Sequence, residues 1–365
     1  MKDFKLFFTG AGSPGFSGIL KGFRIGAKED GREIKVITAD MNPDAYGFHL
    51  ADKGYVIPPG NEDDFLEKML EICDKEKPRF LVSGVDPELL PLAKAKPDFR
   101  RYGVEVVLSD WKAIELAQDK GKLYDFFKPY GFVPEYKRVK NVKEFKEAVS
   151  SLGYPEKPVC FKPVFSYGMR GFRIMRPDVD KVDLLFKYKP SSAFINFSEA
   201  LDTLKQAEAQ GRFPELLVME YLEGKEYTVD LLAWKGKSLV TIPRERVVTK
   251  EGISTVAKLE KNKEIIEYAE TITEKLGFDY CINMQFRYSS DGYPKLIEVQ
   301  PRFAGTTIAC IGAGANLPYL ALKLALGEKI PEVKVKWGTV MKRFWDEVFV
   351  LGEKQWFYGI KFEVK

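Results

Sequence analysis

Two strand-like runs, DYCINMQFRYSS and YPKLIEVQPRF, flank Asp291-Gly292. Asp-Gly between such runs signals a two-residue hairpin. With Asp291 and Gly292 as the turn, Ser290 pairs with Tyr293, Gln285 faces Glu298, and Asn283 faces Gln300. Strand alternation puts Asn283, Gln285, Arg287, Glu298, Gln300 and Arg302 on one face. Ile282, Met284, Phe286, Ile297 and Val299 then point the other way, into a core. The polar face gathers a carboxylate, amides and arginines. Oxygen ligands at that density suit a hard cation such as Mg²⁺, which keeps waters and shares phosphate oxygens. Arg302 beside them can neutralise charge on a transferred phosphate. A solvated polar face of an antiparallel sheet is the alternative.

Other candidates lie upstream. Lys162 ends PVCFKP and precedes the loop VFSYGMRGF, with Gly168 and Gly171. A lysine beside such a loop can grip phosphates with its ammonium and with close backbone approach. The run VMEYLEGKEYTVDLL offers Glu220, a turn at Gly224, then Glu226 on a new strand. Those carboxylates can accept from an adenine amine or a ribose hydroxyl; an exposed acidic strand end is the alternative. Near the start, Gly10, Gly12, Gly15 and Gly18 follow a strand and open a helix, and Asp40 ends the next strand. Such a turn can bind the phosphates of a dinucleotide, or it can need glycines for geometry alone. Pro14 disturbs the usual spacing.

The elements that must position these residues follow from pattern. FKLFFTG, EIKVITAD, RFLVSG and VEVVLS (104–109) read as strands. SGILKGFRIGAKE and DDFLEKMLEICDKEK read as helices between them. That alternation predicts a parallel sheet with helices on its faces, an α/β arrangement closing near residue 110. A helix from Ser109 or Asp110 carries WKAIELAQDKGKLYDFFKPYG. A smaller unit follows with the helix VKEFKEAVSSLG and the strands PVCFKP and ELLVMEYL. Beyond 226 come long strands, the helix NKEIIEYAETITEKLG, the hairpin, and a helix opened by Pro318. The tail from EVKVKW alternates as a half-exposed strand does. The predicted divisions are 1–110, 111–225 and 226–365.

Composition narrows the chemistry. The formal charge is +4, from 57 basic and 53 acidic residues among 365, which does not suggest a nucleic-acid binder. His49 is the single histidine, so a Ser-His pair or a histidine-rich zinc site has almost nothing to draw on. Cys73, Cys160, Cys281 and Cys310 show no metal-ligand spacing and read as reduced thiols. The apolar start is too short for a signal peptide, and the stretch 306–327 reads as a buried helix rather than a membrane span. A cytoplasmic protein is expected.

Taken in order, QDKGKLYDFFKPYGFVP, YPEKPVCFKPVFSYGMRGF, LLVMEYLEGKEYTVD and INMQF…KLIEVQPRFAGT resemble the ATP-grasp superfamily. The resemblance is to carboxylate–amine ligases similar to carbamoyl-phosphate synthetase and biotin carboxylase. It implies a pre-ATP-grasp sheet domain followed by a two-lobed ATP-grasp unit with antiparallel sheets. It implies an ATP-dependent ligase using Mg²⁺ (or Mn²⁺), small-molecule carboxylate and amine substrates, no nucleic acid or membrane partner, and a homodimer. Lys120 and Lys162 match positions that contact ATP phosphates; Ser166, Gly168 and Gly171 match the phosphate-covering loop. Glu220, Tyr221 and Leu222 match the strand whose backbone reads adenine, and Glu226 the ribose-binding acid. Gln285 and Glu298 match metal ligands, and Gln300 stands where asparagine is usual. Arg302 matches the arginine that supports the acyl-phosphate step. Arg244 and Arg246, in TIPRERVV, fall where substrate or phosphate contacts lie. Tyr167 and Met169 make the loop bulkier than usual. Rival readings are an NAD(P)-dependent oxidoreductase built on the N-terminal glycines and a non-catalytic ATP-binding protein.

Overall fold

The computed structural model describes residues 3–166, 168–189, 192–250, 252–352 and 354–357. Tyr167 lies outside them. Five parallel strands form the first sheet: β1 (Phe4–Thr9), β2 (Ile34–Asp40), β3 (Lys53–Val56), β4 (Phe80–Val82) and β5 (Glu105–Val106), in the order β3-β2-β1-β4-β5. Helices cross between them, as parallel pairing demands. In α1 (Phe16–Glu29) the buried residues Phe16, Ile19, Leu20, Phe23 and Ala27 recur at helical spacing and meet the sheet. Then come α2 (Phe65–Glu76), α3 (Asp86–Lys94) and α4 (Lys96–Arg101). β5 covers only two residues of the expected 104–109 strand, because the chain turns away after Val107 N bonds Leu81 O.

The long helix expected after Ser109 is two helices, α5 (Trp111–Gln118) and α6 (Lys120–Phe127). Asp119 breaks it: its backbone is extended (φ −88°, ψ 94°), and its carboxylate caps α6 by accepting from Lys122 N. Asp110 caps α5 in the same way through Lys112 N.

A four-stranded sheet follows, in the order β6-β9-β7-β8, from β6 (Tyr136–Val139), β7 (Val159–Pro163), β8 (Arg173–Met175) and β9 (Leu216–Glu220). The helices α7 (Val142–Ser151) and α9 (Phe197–Ala209) help bury one face; α8 (Lys181–Phe186) precedes α9.

The largest sheet is antiparallel, in the order β14-β13-β10-β11-β12-β15. Its strands are β10 (Glu226–Trp234), β11 (Lys237–Lys250), β12 (Ile253–Leu259), β13 (Tyr280–Tyr288), β14 (Pro294–Gln300) and β15 (Val340–Lys342). The helix α10 (Lys263–Leu276) seals Ile265, Ala269 and Ile272 against it. The helices α11 (Ile308–Gly312) and α12 (Leu317–Ala325) join this sheet's core to α1 and the first sheet.

The expected strand at EVKVKW is absent. Those residues pair with no strand; Val333 and Val335 pack on the core, and Lys336 N bonds Ala313 O. The alternating pattern reports one face resting on a core, which an irregular strap satisfies as well as a strand. A last hairpin, β16 (Phe349–Leu351) and β17 (Lys354–Trp356), is tied to the first domain where Gln355 and His49 exchange hydrogen bonds.

Candidate functional site

Across the β13–β14 hairpin, Asn283 lies opposite Gln300 and Gln285 opposite Glu298. Nearer the turn the register differs by one: Phe286 faces Leu296 and Tyr288 faces Pro294. Ser289 N donates to Tyr293 O (2.9 Å) and Gly292, at φ 86°, donates to Ser289 O (3.0 Å), so the loop holds three residues rather than two. A bulge at Ile297 then restores the register. The expected pairing therefore stands, although the turn it was built on does not. One core residue changes with it: Leu296 is fully buried in place of Ile297, which is half-exposed.

The bulge turns a backbone acceptor toward β7. Ile297 O accepts from Lys162 Nζ and from Tyr124 OH, each at 2.9 Å, and Lys162 Nζ also donates to Tyr124 OH at 3.3 Å. Lys162 is buried, and its pKa is lowered to about 8 by that burial and by the nearby charge of Lys120. Lys120, the first residue of α6, donates to Ser166 O at 2.7 Å, which ties it to the start of the glycine-bearing loop.

In that loop Gly168, Met169 and Gly171 all have left-handed backbones (φ 61°, 61° and 75°). A Cβ at Gly171 would stand 2.7 Å from the Pro163 ring, so only glycine fits. The Met169 side chain reaches across to Gly252, in the turn between β11 and β12. The loop tip thus touches the large sheet.

At the end of β9, Glu220 exchanges bonds with Glu135: its N donates to Glu135 O, and its Oε1 accepts from Glu135 N at 2.9 Å. Tyr221 carries the Arg287 guanidinium over its ring at 5.0 Å, and Leu222 is buried. Glu226 pairs with Arg246 Nε at 3.1 Å, and Arg246 Nη2 donates to Gly252 O at 2.6 Å.

Polar residues run in rows across four strands of the large sheet. One row is Arg244, Thr228, Gln285 and Glu298; a second is Arg246, Glu226 and Arg287; a third is Asp230, Asn283 and Gln300. Arg244 is fully buried, with Nε on Asp230 Oδ2 (2.7 Å) and Nη1 on Thr306 Oγ1 (2.6 Å). Asp230 also accepts from Thr307 Oγ1 and Asn283 Nδ2. Arg244 and Asn283 thus belong to a buried network around Asp230. Gln300 Nε2 donates to Glu298 Oε1 at 2.8 Å. Arg302 grips Asp86 with Nε (2.9 Å) and Nη2 (2.7 Å).

Among the described residues no cluster of three His, Cys, Asp or Glu side chains can hold a metal alone. One half-exposed carboxylate, Glu298, flanked by the amides of Gln285 and Gln300, fits a cation that draws its other ligands from phosphates and water.

The N-terminal glycines do different work. A Cβ on Gly15 would meet Gly305, on Gly18 Ile308, on Gly22 Ile311 and on Gly26 the Tyr319 ring, each closer than 3 Å. They let α1 lie against α11 and α12. Gly12 N already donates to Asp40 Oδ2 at 2.7 Å, so the turn's amide is capped by the acid proposed for a ribose. The dinucleotide reading is not supported.

Asp86, Tyr124 and Asp230 escaped the sequence reading. Asp86 had a signal: an Asp-Pro pair opening a helix at the carboxyl end of a parallel strand, where ligands gather. Tyr124 and Asp230 had none, since an inward tyrosine on a helix and an acid inside a strand look like any other.

Residues 212–344 match a family described as ATP-grasp in the biosynthetic pathway with Ter operon, and residues 21–107 match the PylC-like N-terminal domain. The carbamoyl phosphate synthase large chain of Thermoplasma acidophilum is 24% identical over 323 residues, covering 84% of this chain and 28% of that one. That of Caldanaerobacter subterraneus is 26% identical over 328 residues, covering 85% and 27%. The chain thus spans little more than a quarter of the length of these relatives. In structure it is similar to N5-carboxyaminoimidazole synthetase from Staphylococcus aureus complexed with ADP (TM-score 0.67, 15% identity, covering 94% of this chain and 83% of that one). It is also similar to the biotin carboxylase domain of 2-oxoglutarate carboxylase from Hydrogenobacter thermophilus (TM-score 0.62, 21% identity, covering 93% and 74%). With the lysines, glycine-bearing loop and acidic hairpin in the order the superfamily has them, the chain carries an ATP-grasp domain at 212–344 behind a PylC-like N-terminal domain at 21–107, on a fold similar to that of these ATP-grasp enzymes.

Proposed function

We propose that this protein uses ATP to join a small carboxylate to an amine, releasing ADP and phosphate. The observation that carries the reading is the Lys162 ammonium on the carbonyl of Ile297, beside Glu298, with the charge of Lys120 near it and Lys120 itself bonded to the start of the glycine-bearing loop. The structural neighbours include complexes with ADP and with its magnesium salt.

In this reading the substrate carboxylate attacks the γ-phosphorus, ADP leaves, and the resulting acyl phosphate is attacked by the amine with loss of phosphate. Such chemistry needs positioning and charge neutralisation more than acid–base groups, which suits a chain with one histidine. Lys120 and Lys162 hold ATP oxygens, with Ser166, Gly168 and Gly171 folding over them. The backbone of Glu220, Tyr221 and Leu222 reads adenine, and Glu226 takes the ribose once its contact with Arg246 opens. Mg²⁺ held by Glu298, Gln285 and Gln300 would offset charge on the phosphates. Arg302 faces the acyl phosphate. Arg244, fixed on Asp230, acts at one remove by holding the floor beneath Gln285 and Glu298. The first sheet supplies the substrate side, 111–225 the small lobe and 226–365 the large one; a homodimer completes the proposal.

A coupled ADP-release screen over paired carboxylates and amines tests this. Magnesium-dependent ADP formation that requires one such pair supports it, and normal phosphate release by both Lys162→Ala and Glu298→Ala would sink it.

A further inference from the structure

Arg302 follows the metal hairpin, yet its partner comes from the first domain. Asp86, at the start of α3, takes the guanidinium side-on: Nε donates to Oδ1 (2.9 Å) and Nη2 to Oδ2 (2.7 Å). Nη1 donates to Phe303 O at 2.8 Å. A guanidinium has five N–H donors in a rigid plane. These bonds take three. The side edge is thus occupied, and one donor on each terminal nitrogen is unspent by these bonds.

Asp86 is itself rigidly placed. Its carbonyl accepts from Gln118 Nε2 at 2.7 Å. Two residues on, the buried Glu88 carboxylate takes hydrogen bonds from Thr9 Oγ1 and, at 2.8 Å, from Ser83 Oγ, at the ends of β1 and β4. Both members of the Asp86–Arg302 pair are largely buried, with side chains 11% and 14% exposed. A buried bidentate pair fixes orientation more firmly than a surface one, because few other geometries keep both charges satisfied.

We propose that Asp86 is a positioning residue that locks Arg302 side-on and presents its two remaining terminal N–H groups to a phosphate-like anion in the ATP-grasp cleft. The pose of the arginine is then set by the first domain, so the seam between sheets, and not the hairpin alone, defines the anion site. This rests on the functional reading above, in which Arg302 serves the acyl-phosphate step.

The test is calorimetric titration of the full chain with MgADP, then with inorganic phosphate on the MgADP complex, comparing wild type, Asp86→Asn and Asp86→Glu. The expected result is phosphate affinity weakened about tenfold in both variants with MgADP affinity unchanged, since a misplaced guanidinium loses its aligned contacts. Asp86→Glu keeps the charge but moves the carboxylate outward, so it separates pose from charge and serves if Asp86→Asn does not fold. Unchanged or tighter phosphate binding in the variants overturns the proposal, as does equal weakening of MgADP and phosphate, or a wild type that binds MgADP but no phosphate. A wild type that binds no MgADP overturns the functional reading itself.

Discussion

Lys162 donates its ammonium to the carbonyl of Ile297, the residue that the β14 bulge leaves without a partner across the hairpin. β14 is the edge strand of its sheet, and the unpaired Ile297 at its bulge spares a carbonyl for a side chain from another sheet. That contact couples the lysine proposed to hold phosphate to the strand bearing Glu298.

A pH dependence follows from that lysine. Its pKa is lowered from 10.5 to about 8, first by burial and then by Lys120. The ammonium is charged below about pH 8 and is lost above it. MgATP affinity of the free protein should therefore fall between pH 7 and pH 9, while Lys162→Met binds weakly throughout. Removing one such charged contact from a desolvated site costs on the order of 10²-fold in turnover. Calorimetry across that range checks it; a variant that keeps the wild-type limb removes Lys162 from the site.

Glu298→Gln separates charge from shape at the hairpin. The amide preserves volume and can still meet Gln300, whose Nε2 now donates to Glu298 Oε1. It removes the only carboxylate among the three proposed metal ligands. The magnesium concentration needed for half-maximal ADP formation should rise about tenfold or more, with the melting temperature little changed. An unaltered magnesium dependence would place the metal elsewhere.

Much of this site was legible because it is local. Alternation within YCINMQF, and within KLIEVQ from Glu298 onward, sets which side chains share a face, and that survives any turn geometry. The three-residue loop and the bulge at Ile297 shift the register in opposite directions, so the pairing of Gln285 with Glu298 came out as expected although each irregularity was invisible. Asp119, a side-chain cap inside an apolar-periodic run, hid a helix break in the same way. Partners distant in the chain were not legible. Arg302 and Asp86 are 216 residues apart, and no local pattern records that a strand end in one sheet must meet a hairpin end in another.

The glycines of α1 give a stability test in which two effects oppose. Alanine is favoured over glycine within a helix by about 1 kcal/mol. At Gly26, however, a Cβ would lie 2.3 Å from the Tyr319 ring, which is held by a bond from its hydroxyl to Asp30. Overpacking costs about 1–3 kcal/mol, so Gly26→Ala should lower the melting temperature. Gly312, helical and with nothing within 4 Å of where a Cβ would stand, is the control; Gly312→Ala should not destabilise. Equal effects at the two positions would mean that α1 does not pack closely on Tyr319.

Glu88 predicts how stability itself varies with pH. Burial raises its pKa from 4.5 to about 7, against the hydrogen bonds from Thr9 and Ser83 that pull it down. The folded protein therefore holds the proton more tightly than the unfolded chain does. That contribution is complete below about pH 4.5 and is lost as pH rises through about 7. At roughly 1.4 kcal/mol per pKa unit, the loss between these limits is on the order of a few kcal/mol. Glu88→Gln never ionises and keeps an acceptor for both hydroxyls. Relative to wild type, it should gain stability on going from pH 5 to pH 8, whatever its absolute cost at pH 5. Urea denaturation at the two pH values reads the difference directly, and parallel curves for the two proteins would show that Glu88 is ionised in the fold at both.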